Sequence, residues 1–307
     1  MSLHRPNPPA TRQGVGASCV VLPQGPWPSV IAFLAERFAH VPQAQWQRRM
    51  DSGSVIDDQG QRVGPDCPYQ AGRRLYYFRA LEQETPIPFE ATIVWRNEHL
   101  LVVDKPHFLP VLPSGKYLQE TLLVRLKQSL GLDDLSPIHR IDRDTAGLVL
   151  FSVERSTRAA YHELFRQRQV DKTYEAIAPW NEDLPWPLRR ESRIVAGAHF
   201  MQQTEVPGTP NSLTYLEPLE VLAPLARYAL KPVTGRRHQL RVHMAALGLP
   251  ILGDGIYPTL TPEGSSDPLQ ALQLLAKSIA FTDPISGEQH HFESARSLRP
   301  LAELVKE

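Results

Sequence analysis

The chain of 307 residues has only two cysteines, Cys19 and Cys67. They lie far apart and in no ligand spacing, which argues against a structural zinc site and against a disulfide framework. No apolar run is long enough to cross a bilayer, and the opening MSLHRPNPPATRQG lacks the apolar stretch of a secretory signal. This reading places the protein in the cytoplasm. Neither a glycine-rich phosphate loop nor a regular βαβ alternation is present, so a nucleotide-binding fold and a nucleotide cofactor are disfavoured. An excess of either charge is also missing, because 33 Lys and Arg balance 33 Asp and Glu. Neutrality counts mildly against a nucleic-acid partner, but distribution matters more than the sum. Between Arg227 and His243 stand Arg227, Lys231, Arg236, Arg237 and Arg241, with no acid among them. A neutral chain can therefore still carry a basic cleft.

What is present suits a globular protein with one large domain and a smaller one, since 42% of residues are hydrophobic and 21% charged. Residues 1–25 read as a loose arm, rich in Pro, Gly and polar residues. SVIAFLAERF (29–38) has helical apolar spacing with Ser29 as N-cap, and a second short helix follows around Gln43–Met50. GSVIDDQGQRV (53–63) predicts a hairpin around Asp58–Gly60, and Arg74–Arg79 a closing strand. These elements make a unit over 26–80, and 81–92 a linker. The larger domain then occupies 93–307, opening with strands TIVWRN (92–97) and HLLVVDKP (99–106). LQETLLVRLKQSLG (118–131) predicts a helix with Leu118, Leu122, Leu126 and Leu130 on one face and Gly131 as its stop. A buried strand is expected at 147–152, a helix at 155–169 capped by Ser156, and an alternating strand at 172–180. Several strands lie between Arg193 and Val233. A helix follows at 235–247, stopping at Gly248, and then a hairpin at 274–294. Strand runs broken by few helices predict an α+β domain on a mixed, mainly antiparallel sheet.

Four segments carry chemistry-bearing residues. In SPIHRIDRDTAGLVLFS (136–152), His139, Arg140, Asp142, Arg143, Asp144 and Thr145 abut an apolar strand, the place where a scaffold displays functional groups. The same residues also fit a solvated loop whose two aspartates pair with neighbouring arginines. In KPVTGRRHQLRVHMAALGLPILGD (231–254), Thr234 as N-cap would put Arg236 and Arg237 in the first helical turn. Cations are locally unfavourable there, so the helix would face an anion, though an exposed basic face is the plainer reading. Arg237 and Arg241 would share a face, with Leu240, Met244 and Leu247 on another. His238 and His243 are five apart, poor spacing for joint metal ligation from a helix, and no metal site is expected. KTYEAIAP (172–179) offers Tyr174, either edge decoration or a ring to stack on a base. HLLVVDKPHFLPVLPSG (99–115) brings Lys105 to a strand exit.

In this order, the motifs LLVVDKP, HRIDRDTAGLVLFS, KTYEAI and TGRRHQLRVHMAALGLPILGD resemble the RluA-type family of RNA pseudouridine synthases, over roughly residues 90 to 295. Asp104 stands where the family more often has asparagine, and Ala146 where serine is common. The unit at 29–79 is similar to the small RNA-binding domain first seen in a ribosomal small-subunit protein, through Arg48, Arg49, Gly53 and Val55. Asp57 and Asp58, however, put two acids in a turn that is usually neutral there. The resemblance implies a cofactor-free isomerase of uridines in ribosomal or transfer RNA, with Asp142, Tyr174 and Arg241 as catalytic residues. It implies Arg140, Leu240, His139, Lys105 and Arg237 as substrate-binding residues. In that role Arg241 would pair with Asp142, Arg140 would fill the space left by a flipped base, and Leu240 would floor the uracil. Nothing calls for more than a monomer, and no membrane partner is expected. Two rivals stay in view: a non-catalytic RNA-binding or ribosome-assembly factor on the same fold, and a nucleoside hydrolase using Asp142 with Asp144.

Overall fold

A computed structural model of the chain describes residues 9, 11–79, 83–262 and 270–306. Residues 1–8 and 10 of the expected arm and 81–82 of the expected linker lie outside the described residues. The chain folds as two compact units. One takes the described residues up to Thr85 together with Leu112–Asp133; the other takes Pro86–Val111 and the described residues from Asp134 onward.

The first unit contains β1 (Ser18–Val21), α1 (Val30–Arg37), α2 (Gln43–Asp51), β2 (Val55–Asp57), β3 (Arg74–Tyr77) and α3 (Leu122–Leu130). Its sheet has the order β1-β3-β2, all antiparallel. Residues 18–21 thus form a strand instead of belonging to a loose arm, because β3 offers them a free edge. The small hairpin expected around Asp58–Gly60 does form: the Asp57 amide donates to the Gln61 carbonyl, the Val63 amide donates to the Val55 carbonyl, and Ile56 bridges Arg62, while the other edge of β2 pairs with β3. Trp46, Phe33, Leu34 and Leu75 fill the core under both helices. Ser29 caps α1 as expected, accepting from the Ala32 amide at 3.3 Å.

Asp57 is buried and holds the turn together. Its carboxylate accepts the Gln59 and Gln61 amides and pairs with Arg73 at 2.8 Å. Burial pushes its carboxyl up, but the hydrogen bonds from Arg73 and the two amides reverse this and leave it below the usual range. One of the two unusual acids is therefore consumed internally, and only Asp58 is exposed. The helix expected at 118–131 begins at Leu122 with Thr121 as N-cap, and it stops as expected at Gly131 in the left-handed region, φ 66°. It starts late because the Glu84 carboxylate collects the amides of Leu118, Gln119 and Glu120 at 2.7 to 2.9 Å, holding them outside the helix.

The second unit is an 11-stranded sheet with two helices that matter for the site. Its strands are β4 (Thr92–Arg96), β5 (Leu100–Lys105), β6 (Ser136–Pro137), β7 (Ala146–Ser152), β8 (Asp171–Pro179), β9 (Leu188–Ala196), β10 (Gln203–Val206), β11 (Ser212–Leu222), β12 (Leu225–Pro232), β13 (Leu274–Thr282) and β14 (Gln289–Glu293). The path runs β10-β9-β11-β12-β8-β13-β7-β5-β4, with β14 on β13 and β6 on β7. Among the described residues only the β13–β7 pairing is parallel, so the unit is α+β with a mixed, mainly antiparallel sheet, as the strand pattern predicts. Helix α4 (Arg158–Arg166) packs Tyr161 and Leu164 on Leu100, Val102, Leu148 and Leu150. Helix α5 (Gln239–Ala246) packs Leu240 and Met244 on Ala176, Tyr228, Leu230 and Leu274. A short α6 (Leu301–Leu304) closes the chain. Ser156 is not the cap of α4: its hydroxyl binds Glu154, and the N-cap position falls to Thr157 without a side-chain bond.

Both unusual motif residues have local partners. Asp104 is buried, accepts from the Ser294 hydroxyl at 2.8 Å and lies 3.2 Å from Arg296 Nε. Ala146 packs among Ile177, Leu275, Leu298 and Leu301, where a methyl group belongs. Beside it, Gly147 has φ 107°, and a Cβ there would stand 2.3 Å from the carbonyl oxygen of Ala276 on the parallel neighbour. Only glycine lets β7 and β13 approach this closely directly behind the Asp142 loop. Gly147→Ala should therefore lower the unfolding free energy by roughly 2–4 kcal/mol in urea titrations, whereas an unchanged midpoint would mean the two strands part without loss.

Candidate active site

A cleft of about 580 Å³ opens in the second unit, walled by the loop from Ile138 to Thr145, the turn from α4 into β8, and the approach to α5. Among the described residues its wall carries Arg140, Arg166, Arg168, Lys172, Arg236 and Arg241 against a single carboxylate, Asp142. The chain's overall neutrality thus conceals a strongly cationic concavity, which attracts a polyanion and strengthens the field on its one acid.

Asp142 sits between β6 and β7 in a turn closed by the Thr145 amide donating to its carbonyl at 3.2 Å. Its side chain is 26% exposed, open to the cleft yet restrained from behind. Arg241 Nη1 donates to its Oδ2 at 3.2 Å, and His238 Nε2 lies 3.8 Å from its Oδ1. The remaining face of the Arg241 fork is committed elsewhere. Nε and Nη2 donate to the two oxygens of Asp254 at 2.8 and 2.6 Å. Asp254 has a fully buried side chain and also accepts the amides of Ile256 and Tyr257. Such a two-point carboxylate contact fixes the guanidinium plane. Burial pulls the Arg241 guanidinium down, but the hydrogen bonds and charge of Asp254, aided by Asp142, outweigh it and hold it above its ordinary value.

Tyr174 lines the cleft from β8, packed against the cluster containing Leu240 and Leu274. Burial, and then the Asp142 charge, push its phenol well above the ordinary tyrosine value, so it stays protonated. Burial lowers His238 and keeps it neutral; its Nδ1 lies 3.0 Å from the Tyr257 hydroxyl. Leu240 lies on the cleft wall at 7% exposure, and Arg140 is exposed on the wall. His139 also lines the cleft, but its Nε2 accepts from the Leu150 amide at 3.1 Å and its ring stacks on Phe165. Burial brings it down to about 3, so it is a neutral strut between loop and β7.

Two expected site residues are not on the cleft wall. Lys105 is fully buried at the end of β5, where Nζ donates to the carbonyls of Pro106 and Arg143. Burial brings its amine down to about 7, and it braces the Asp142 loop from behind. Arg237 turns away and donates to the Phe200 and Met201 carbonyls at 3.0 and 3.3 Å. The reason lies in how α5 begins. Thr234 is not its cap: its hydroxyl donates to Gln239 Oε1, which also accepts the Arg236 amide. That closed turn delays the helix to Gln239, with His238 at the N-cap in the left-handed region, φ 55°. Arg236 and Arg237 therefore precede the helix, do not oppose its dipole, and share no face with Arg241. Arg236 lines the cleft instead.

Asp144 accepts from its neighbour Arg143 at 2.8 Å and is not part of the cleft wall, which removes the second carboxylate the hydrolase reading requires. Asp254, Arg168, Lys172 and His238 were not singled out as site residues from the sequence. Asp254 ends the PILGD run, but no spacing rule links it to Arg241. Among the described residues no cluster of three or more His, Cys, Asp or Glu is placed to hold a metal.

Residues 99–246 match the family model for RNA pseudouridylate synthases. The chain is 32% identical over 230 residues to the dual-specificity RNA pseudouridine synthase RluA of Haemophilus influenzae, covering 70% of this chain and 97% of that one. It is 33% identical over 214 residues to the tRNA pseudouridine synthase C of Vibrio cholerae, covering 62% and 85%. The solved structure of human RNA pseudouridylate synthase domain containing 1 shares the fold, with TM-score 0.56 and 24% identity over 73% of this chain and 96% of that one.

The geometry separates the two acids that Arg241 joins. Asp254→Asn should lower the unfolding free energy by roughly 3 kcal/mol, because it leaves a buried guanidinium half-anchored. Asp142→Asn, at a partly exposed position, should change it by less than about 1 kcal/mol. Equal losses in denaturant titrations would contradict this division of roles.

Proposed function

This chain belongs to the RNA pseudouridine synthases, and we propose that Asp142 is the carboxylate with which it isomerises a uridine of ribosomal or transfer RNA. The observation that supports this most is a lone, partly exposed carboxylate, aimed by a doubly anchored arginine, in a cleft whose other charged wall residues are all cations. A protein that only bound RNA would gain nothing from a carboxylate placed against the phosphate-bearing strand.

The chemistry needs little more. The bond between N1 of uracil and the anomeric carbon breaks, the base rotates, and a bond from C5 to the same carbon forms. C5 gives up a proton and N1 gains one. Atoms and electrons balance within the nucleotide, so no cofactor is required. The Asp142 carboxylate can open the sequence by adding to the anomeric carbon or by taking a proton from the adjacent sugar carbon. Arg241 holds it oriented for either.

The target base must first leave its stack, at a cost of roughly a few kcal/mol. In this reading Arg140 enters the vacated space, and Tyr174 and Leu240 hold the uracil between a ring and an apolar floor. Because Tyr174 stays protonated, it stacks in the resting site and takes up the C5 proton only while passing on its own. The names of the relatives point to RNA, and in one case to transfer RNA, as the substrate pool. In this reading the enzyme acts in the cytoplasm, as a monomer, with the first unit gripping RNA and the second carrying the reaction.

Pseudouridine mapping of total RNA should find one or a few sites lost in a strain lacking the protein. Wild type should restore them and Asp142→Ala should not. Restoration by Asp142→Ala would remove Asp142 from its role, and an unchanged map would favour the RNA-binding-factor reading.

A further inference from the structure

We propose that Arg168 is a substrate-positioning residue that holds a phosphate of the RNA strand beside the reacting uridine; the proposal rests on the function proposed above. Helix α4 ends in a turn in which the Arg168 amide donates to the Phe165 carbonyl and the Gln169 amide to that of Leu164. Arg168 itself is in the left-handed region, φ 60°. Helix ends usually place glycine or asparagine there, because a Cβ makes that backbone unfavourable. Where α2, α3 and α5 end in a left-handed residue it is glycine: Gly53, Gly131 and Gly248 have φ 68°, 66° and 75°. The non-glycine case, Arg168 after α4, lies on the cleft wall. Strain kept at such a position is a reason to ask what its side chain does.

The surroundings answer in terms of charge. Arg168 is exposed on the wall, and no carboxylate pairs with it among the described residues. Its neighbour Arg166 is already engaged by both oxygens of Glu163, and Lys172 is partly buried in the cleft. A helix C-terminus has negative partial charge and would repel a phosphate, so a cation is needed if a strand is to pass there. The turn is also tied to the catalytic loop. Phe165 stacks on His139 at 4.8 Å between ring centroids, and His139 is pinned to β7 three residues before Asp142. A phosphate held by Arg168 is therefore held at a fixed place relative to the carboxylate. A planar fork suits a phosphate oxygen pair better than any other side chain does.

The test uses the full chain and, as probe, RNA extracted from a strain lacking it. Pseudouridine formation is followed against RNA concentration at several KCl concentrations, and the melting temperature of each protein is recorded. Arg168→Asn relieves the backbone, so its melting temperature should hold or rise, while its KM should rise about tenfold with kcat changing far less. The slope of log affinity against log salt should fall by about 0.7 to 1, the share of one phosphate contact. Arg168→Lys should keep that slope with an intermediate KM. An Asn variant with unchanged KM and salt slope would overturn the proposal, as would a fall in melting temperature that accounts for its lost activity. A wild type that forms no pseudouridine would instead overturn the underlying functional reading, and this proposal with it.

Discussion

The Arg241 guanidinium ties two distant parts of the chain to one carboxylate. Two of its nitrogens are held by the buried Asp254, and the third reaches Asp142. A buried arginine with only Asp142 for company would be poorly compensated, and Asp142 would be free to turn into the cleft's other cations. With Asp254 in place, the buried charge is balanced first and the exposed acid is oriented second. The same pairing joins α5 and the turn after Ile251, which presents Asp254, to the Asp142 loop.

Around that axis the second unit supplies supports of different kinds. Lys105 braces the loop through the Arg143 carbonyl, His139 links it to β7, and Gly147 allows the strands behind it to close. None of the three needs to meet a substrate to matter. Their common effect is to hold a short charged loop rigid against a buried sheet, which is what placing a reactive atom within a fraction of an ångström demands.

Much of this was legible in the sequence. The α+β class, the Gly131 stop, the Ser29 cap and the pairing of Asp142 with Arg241 all follow from local patterns or motif resemblance. What was not legible depended on tertiary competition. Thr234 looked like a cap because only its neighbours were visible, whereas Gln239 takes its hydroxyl and moves the helix start. Lys105 and Arg237 read as strand-exit and helix cations facing a ligand, yet backbone carbonyls from other segments claim both. Asp254 was invisible as a partner because no spacing rule connects a carboxylate thirteen positions away across a helix end. The acid-free run from Arg227 to His243 already allowed a basic cleft despite the zero sum, but Arg140, Arg166, Arg168 and Lys172, which complete its wall around one acid, come from other segments.

The central claim is that the Asp142 carboxylate starts an isomerisation in which uracil C5 loses its hydrogen. The most direct measurement is release of tritium to water from RNA labelled at C5 of uridine, under single turnover, with wild type and with Asp142→Asn. The account predicts release by wild type and none above background by the variant, although the variant folds and binds the RNA. Release by Asp142→Asn at a rate near that of wild type would contradict it.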